Sequence, residues 1–184
     1  ARLGGEVSQP AGSWQSMRER ALLTLEREKS AVIRAEAAEA ICDAAADAPD
    51  DALSDFAADV VRLLNDKQEE VRCAGLALAA EVLPPAEAKD VLVRNIADRA
   101  HRVRVEAVGR LADLALPDAR GALAVALEDD IFPVRFEAAR GMVALQHSAG
   151  LETLLTALED PDLRFRAAAA LAQLGNKDAL PRLK

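Results

Sequence analysis

The sequence predicts an all-α fold, built as a row of about five antiparallel helix pairs. Three observations carry that expectation. The chain has 184 residues, 51% of them hydrophobic, yet only 3% are aromatic, and Ala and Leu together supply over a third of it. Small apolar side chains suit close helix packing, whereas sandwiches and barrels draw on β-branched and aromatic residues. Apolar residues also fall at helical spacing almost without a break from Ser13 onward. Finally, one phrase recurs at intervals between 30 and 40 residues, the mark of stacked two-helix units.

Residues 1–12 contain three Gly, one Pro and no periodicity, and read as a flexible N-terminal arm. The repeat domain then runs over 13–184. Trp14, Met17, Ala21, Leu22 and Leu25 share one face of a first helix, with Ser13 as its N-cap. The recurring phrase reads NDKQEEVRCAG at 65–75, ADRAHRVRVEA at 97–107 and EDDIFPVRFEA at 128–138. In each copy an Asp precedes an Arg by six residues: Asp66 and Arg72, Asp98 and Arg104, Asp129 and Arg135. A looser first copy has Glu28 in the Asp slot and Arg34 in the Arg slot.

The last copy, EDPDLRFRAAA, offers two arginines. Choosing Arg164 places Ala167, Ala168, Leu171 and Leu174 on the buried stripe, whereas Arg166 would bury Gln173 without a partner. The helix phase therefore selects Arg164, with Pro161 in a first helical turn. First helices of each pair are expected near 14–27, 52–64, 86–96, 118–127 and 150–158, and second helices near 31–47, 69–82, 101–115, 132–146 and 162–174. Pro49, Pro84-Pro85, Pro117, Gly150 and Gly175 punctuate them. The units are then 13–48, 49–83, 84–116, 117–147 and 148–175, with 176–184 opening a further helix.

A net charge of −8 argues against a phosphate-binding surface. No apolar run approaches the ~20 residues that span a bilayer, and no secretory leader is visible, so a cytoplasmic protein is expected. The first residue is Ala rather than Met, which suggests processing or excision. Cys42 and Cys73 have no metal or redox spacing and read as small buried apolar residues in a reducing compartment.

The phrase D-x4-VR-x2-AA-x2-L-x2-L, followed by Gly175 and ALPRL, resembles HEAT repeats, most closely the short bacterial type found in phycobilisome lyases. The resemblance covers 14–183 and implies a right-handed α-α superhelix, a HEAT-like solenoid whose second helices line a concave face. It implies a protein-binding scaffold or adaptor; the alternative is a phycobilisome-type lyase or lyase-chaperone subunit, and nucleic-acid binding is less favoured. HEAT-like hydroxylases hold iron with His-Glu pairs, but His101 precedes Arg and His147 precedes Ser. No catalytic residue, metal site or cofactor is therefore expected, and both histidines read as surface residues.

The resemblance also implies that Asp66, Arg72, Asp98, Arg104, Asp129 and Arg135 form a structural ladder between units. Positions +2, +5 and +9 from each Arg share the polar face of the second helix. They carry Glu36, Glu39 and Asp43, then Glu81, then Glu106 and Asp113, then Glu137 and Arg140, and finally Arg166. An acidic face through four units, turning basic at Arg140 and Arg166, would suit a protein partner with a basic segment. Phe132, Phe136 and Phe165 are expected to pack between repeats, and Trp14 to cover the open end of the core.

Overall fold

The computed structural model describes residues 14–175, and these contain ten α-helices and no strand. The arm at 1–12, the Ser13 cap and the start of a further helix at 176–184 lie outside the described residues. The chain divides into two compact units after Val82.

Unit one holds two helix pairs. Helix α1 (Trp14–Arg27) packs on α2 (Ala31–Ala46), α3 (Ala57–Leu64) packs on α4 (Glu69–Val82), and α2 packs on α4. A 3-10 turn over Asp50–Phe56 leads into α3, so this first helix of a pair starts tighter than its pattern predicts. Asp50, Asp51, Ser54 and Asp55 lie in that stretch, and short polar side chains favour turns over α-helix. Ile41, Phe56, Leu63, Leu76 and Leu78 form its buried centre. Trp14 lies 5.6 Å from the Phe56 ring, and Arg18 stacks over that ring while its Nε donates to the buried Asp59 at 2.6 Å.

Unit two holds three pairs: α5 (Pro85–Asn95) with α6 (His101–Leu114), α7 (Arg120–Ala126) with α8 (Phe132–Ala144), and α9 (Leu151–Ala157) with α10 (Arg164–Gln173). Helix α8 packs on both α6 and α10. Pro85 and Pro133 stand in first turns, where a missing backbone N–H costs no helical bond. Gly141 allows α8 its close approach, since a Cβ there would lie 2.9 Å from both Ala112 Cβ and Leu123 Cδ1. Gly150 is required twice over, by its φ of +85° and by Ala139 Cβ, 2.6 Å from where its own Cβ would stand. Pro161 precedes α10 rather than entering it: Asp160 Oδ1 accepts from the amide of Asp162 at 2.8 Å, and this turn delays the helix to Arg164.

The repeated Arg has one local geometry. Each donates to the carbonyl six residues earlier: Arg34 to Glu28, Arg72 to Asp66, Arg104 to Asp98, Arg135 to Asp129 and Arg164 to Leu158, at 2.6–3.2 Å. Arg164, not Arg166, occupies that place in the last pair. The repeated Asp shapes the turn as well. Oδ1 of Asp66, Asp98 and Asp129 accepts the amide two residues on at 2.8–2.9 Å, a turn that a longer Glu closes less well. Asp66, through its other oxygen, and Asp129, through both, also accept from the arginine of the preceding pair. Arg34 bonds Asp66, and Arg104 Nε meets Asp129 Oδ2 at 2.8 Å while its Nη2 meets Oδ1 at 3.0 Å. Arg104 holds the Asp129 carboxyl below its ordinary range, chiefly through this hydrogen bond. Arg135 differs: it donates to the carbonyls of Asp129 and Asp130 and lies over the Phe132 ring at 5.5 Å.

Candidate interaction surface

The polar face of the second helices behaves differently in the two units. In unit one, Glu36, Glu39 and Asp43 follow one another at three- and four-residue steps along α2, and all three are exposed. None of them forms an ion pair among the described residues. Glu81, near the end of α4, is exposed too.

In unit two the same phase is neutralised. Glu106 on α6 accepts from Arg110 one turn on at 2.8 Å. Asp113 pairs with Arg140 of α8 at 2.7 Å. Glu137 departs furthest from expectation. It is buried, with Arg140 Nε on Oε2 at 2.8 Å and Arg166 Nη2 on Oε1 at 2.7 Å. Arg140 Nη2 completes the cluster on the Gly109 carbonyl at 3.1 Å. The carboxylates of Asp113 and Glu137 raise Arg140 against the opposing effect of its own burial.

Two expectations are corrected here. The face does not stay acidic through the fourth pair, because Arg110, Arg140 and Arg166 match Glu106, Asp113 and Glu137 one for one. Arg140 and Arg166 are likewise not a free basic end of that face; both are committed to Glu137. The physical reason is convergence. Gly109 on α6 carries no side chain, so Glu137 can lie against it, with its carboxylate carbon 3.7 Å from where a Cβ would be. Arg166 then reaches across from α10 and stacks on the Phe136 ring at 5.1 Å. Together they line an open groove of about 400 Å³ with Val105, Glu106 and Asp113.

Among the three phenylalanines, Phe136 is fully buried and Phe132 packs half-buried beside it. Phe165 does not pack between repeats: it is 81% exposed. Cys42 and Cys73 are half-buried and not joined in a disulfide, and Cys42 Sγ donates to the Ala74 carbonyl at 3.5 Å. His101 and His147 are exposed. The Arg18–Asp59 bridge between α1 and α3 has no signature in the sequence, since its members stand 41 residues apart outside the recurring phrase. Among the described residues, no group of acidic, His or Cys side chains could hold a metal ion, and no helix is long and apolar enough to cross a membrane.

Residues 120–184 match HEAT repeats. The match takes in all of α7 to α10, with the copy of the recurring phrase at 128–138 and Glu137, Arg140 and Arg166; Glu106, Arg110 and Asp113 lie before it. An engineered protein of known crystal structure is similar over 90% of this chain and 83% of its own, with a TM-score of 0.54 and 21% identity. At that identity the likeness is one of fold, an all-helical repeat array. No curated protein matches the sequence. HEAT repeats generally mediate protein–protein interaction.

Proposed function

We propose that the protein is a non-catalytic interaction scaffold, and that the exposed face of α2 binds a basic segment of a protein partner. The observation that carries this reading is the row Glu36, Glu39 and Asp43, exposed and without an ion pair among the described residues. Three like charges on one helix face repel one another, so a complementary cation relieves a standing cost. Glu81 adds a fourth exposed carboxylate at the same phase of α4. Helix packing fixes these groups before binding, which lowers the ordering cost of association. Glu106, Asp113 and Glu137 take no part in this reading, because arginines of the same unit already satisfy them.

The test uses a fluorescein-labelled oligolysine and measures anisotropy at low and high salt. Glu36→Lys with Glu39→Lys is expected to weaken binding by about tenfold, roughly 1.4 kcal/mol, without changing thermal stability. Asp113→Lys is expected to leave binding within about twofold, since that carboxylate is already matched. Equal losses from the two variants would place the binding in overall charge rather than on α2, and would refute the assignment.

A further inference from the structure

Within the two units, successive pairs are joined by two kinds of contact. One is the rung from the repeated Arg to the Asp of the following pair, seen in Arg34–Asp66 and Arg104–Asp129. The other is apolar. Phe136, one residue after Arg135, is fully buried in a cluster with Ala167, Ala170 and Leu171 of the following pair.

Among the described residues, the last pair carries unmade halves of both contacts, and the first pair carries that of the rung beside an exposed aliphatic patch. In α10, Phe165 stands where Phe136 stands in α8, but it is 81% exposed rather than 0%. Arg164 holds the rung position, makes its local bond to the Leu158 carbonyl at 3.2 Å, and is exposed with no carboxylate on it among the described residues. In the first pair, Glu28 occupies the acidic slot. Its carbonyl receives Arg34 as the Asp carbonyls receive theirs, and its side chain is exposed. Ile33, one residue before Arg34, is 40% exposed, whereas Val71, Val103 and Val134 at the same position are 0% exposed. Val32 beside it is 67% exposed. Among the described residues, one surface therefore offers an aromatic ring and a guanidinium with no carboxylate on it; the other offers aliphatic side chains and a carboxylate with no ion pair.

We propose that these two surfaces bind each other between copies of this chain, so that α10 of one copy stacks on the first helix pair of the next. Phe165 packs against Val32 and Ile33, and Arg164 completes a rung with Glu28. The Arg164–Glu28 contact repeats the rung that joins successive pairs within each unit, and the charges have the complementary sign. Because the two surfaces differ, the association is heterologous and extends into chains or closes into rings.

Sedimentation velocity on the full 184-residue chain across a concentration series tests this. Self-association is expected to strengthen with concentration. Phe165→Ser is expected to weaken it by about tenfold or more, as loss of a central aromatic anchor does. Arg164→Glu and Glu28→Arg are each expected to be monomeric alone. Mixed in equal amounts they restore association, since each mixed contact again has one charge of each sign. Thermal unfolding separates loss of association from loss of folding, because all three side chains are exposed. A wild-type chain that stays monomeric throughout overturns the proposal, as it would if residues 176–184 covered Phe165 within one copy. So does association that persists in all three variants, or a mixture of the charge variants that remains monomeric.

Discussion

Glu137→Gln is the sharpest probe of unit two. The substitution keeps the shape of the side chain and removes its charge. In the native protein Glu137 is 6% exposed and each carboxylate oxygen accepts one guanidinium. Breaking a buried ion pair by removing one partner costs about 3–5 kcal/mol when the remaining charge is left buried. Two features lower that figure here. Arg140 keeps Asp113 at 2.7 Å and the Gly109 carbonyl at 3.1 Å, while Arg166 is 49% exposed and can turn to water. The glutamine also keeps one carbonyl oxygen to accept one of the two arginines. The expected loss is therefore about 2 kcal/mol, or roughly 4–8 °C in Tm for a chain of this size.

Urea unfolding followed by circular dichroism measures it, with the slope held constant to confirm that the native fold is kept. A double-mutant cycle with Arg166→Met isolates the link between α8 and α10, expected at about 1 kcal/mol. A Gln variant within about 0.5 kcal/mol of wild type would refute the reasoning, because surface substitutions commonly fall in that range. The cluster would then be a solvated face rather than a buried junction.

Other expectations follow from named contacts. Arg104 lowers the Asp129 carboxyl, so this rung contributes fully above the ordinary carboxylate range and loses its contribution as pH falls through the depressed value; Asp129→Asn is expected to flatten the acid limb of a Tm-against-pH curve, and an unchanged limb would count against the rung. Ala115 (φ 47°) and Gln146 (φ 57°) sit in the left-handed region just after α6 and α8, where Gly175 (φ 68°) follows α10; replacing either by Gly is expected to stabilise by about 0.5–1 kcal/mol, because relief of the strain exceeds the added freedom of the unfolded chain. Gly141→Ala is expected to cost about 1–3 kcal/mol through its contacts at 2.9 Å with Ala112 and Leu123. Gly109→Ala meets Glu137 only at 3.6 Å and is expected to gain helix propensity instead, so destabilisation of both by the same amount would contradict the packing.

Much of the fold was legible because helix phase and chain breakers act locally. Among the described residues, the α-helices lie within two residues of where their apolar periodicity and their Pro and Gly boundaries place them, except α3, whose first five expected residues form a 3-10 turn. Phase also decides between Arg164 and Arg166, since the carbonyl six residues back is the true mark of that position and Leu158 supplies it. The double duty of the repeated Asp was not legible, since a ladder partner and a turn former look alike in one sequence. Nor was the state of the polar face. Glu36 and Glu137 share position +2, yet one is exposed and the other buried. That difference comes from its neighbours: Gly109 on α6, against which Glu137 lies, Arg140 one turn on along α8, and Arg166 on α10, the two arginines neutralising it.

A repeat position therefore fixes the direction of a side chain, while the flanking pairs fix whether it meets water. Phe136 and Phe165 make the same point with apolar side chains: identical placement on the helix and opposite exposure. Carboxylates are available for a basic partner only where no arginine stands within reach on the same helix or a neighbouring one. On the polar faces of the second helices that condition holds at Glu36, Glu39 and Asp43 on α2, whereas Arg110, Arg140 and Arg166 remove it in unit two. The acidity of the chain thus becomes a local property of unit one, and placing an arginine at the matching phase beside α2 should silence that face as effectively as removing its glutamates.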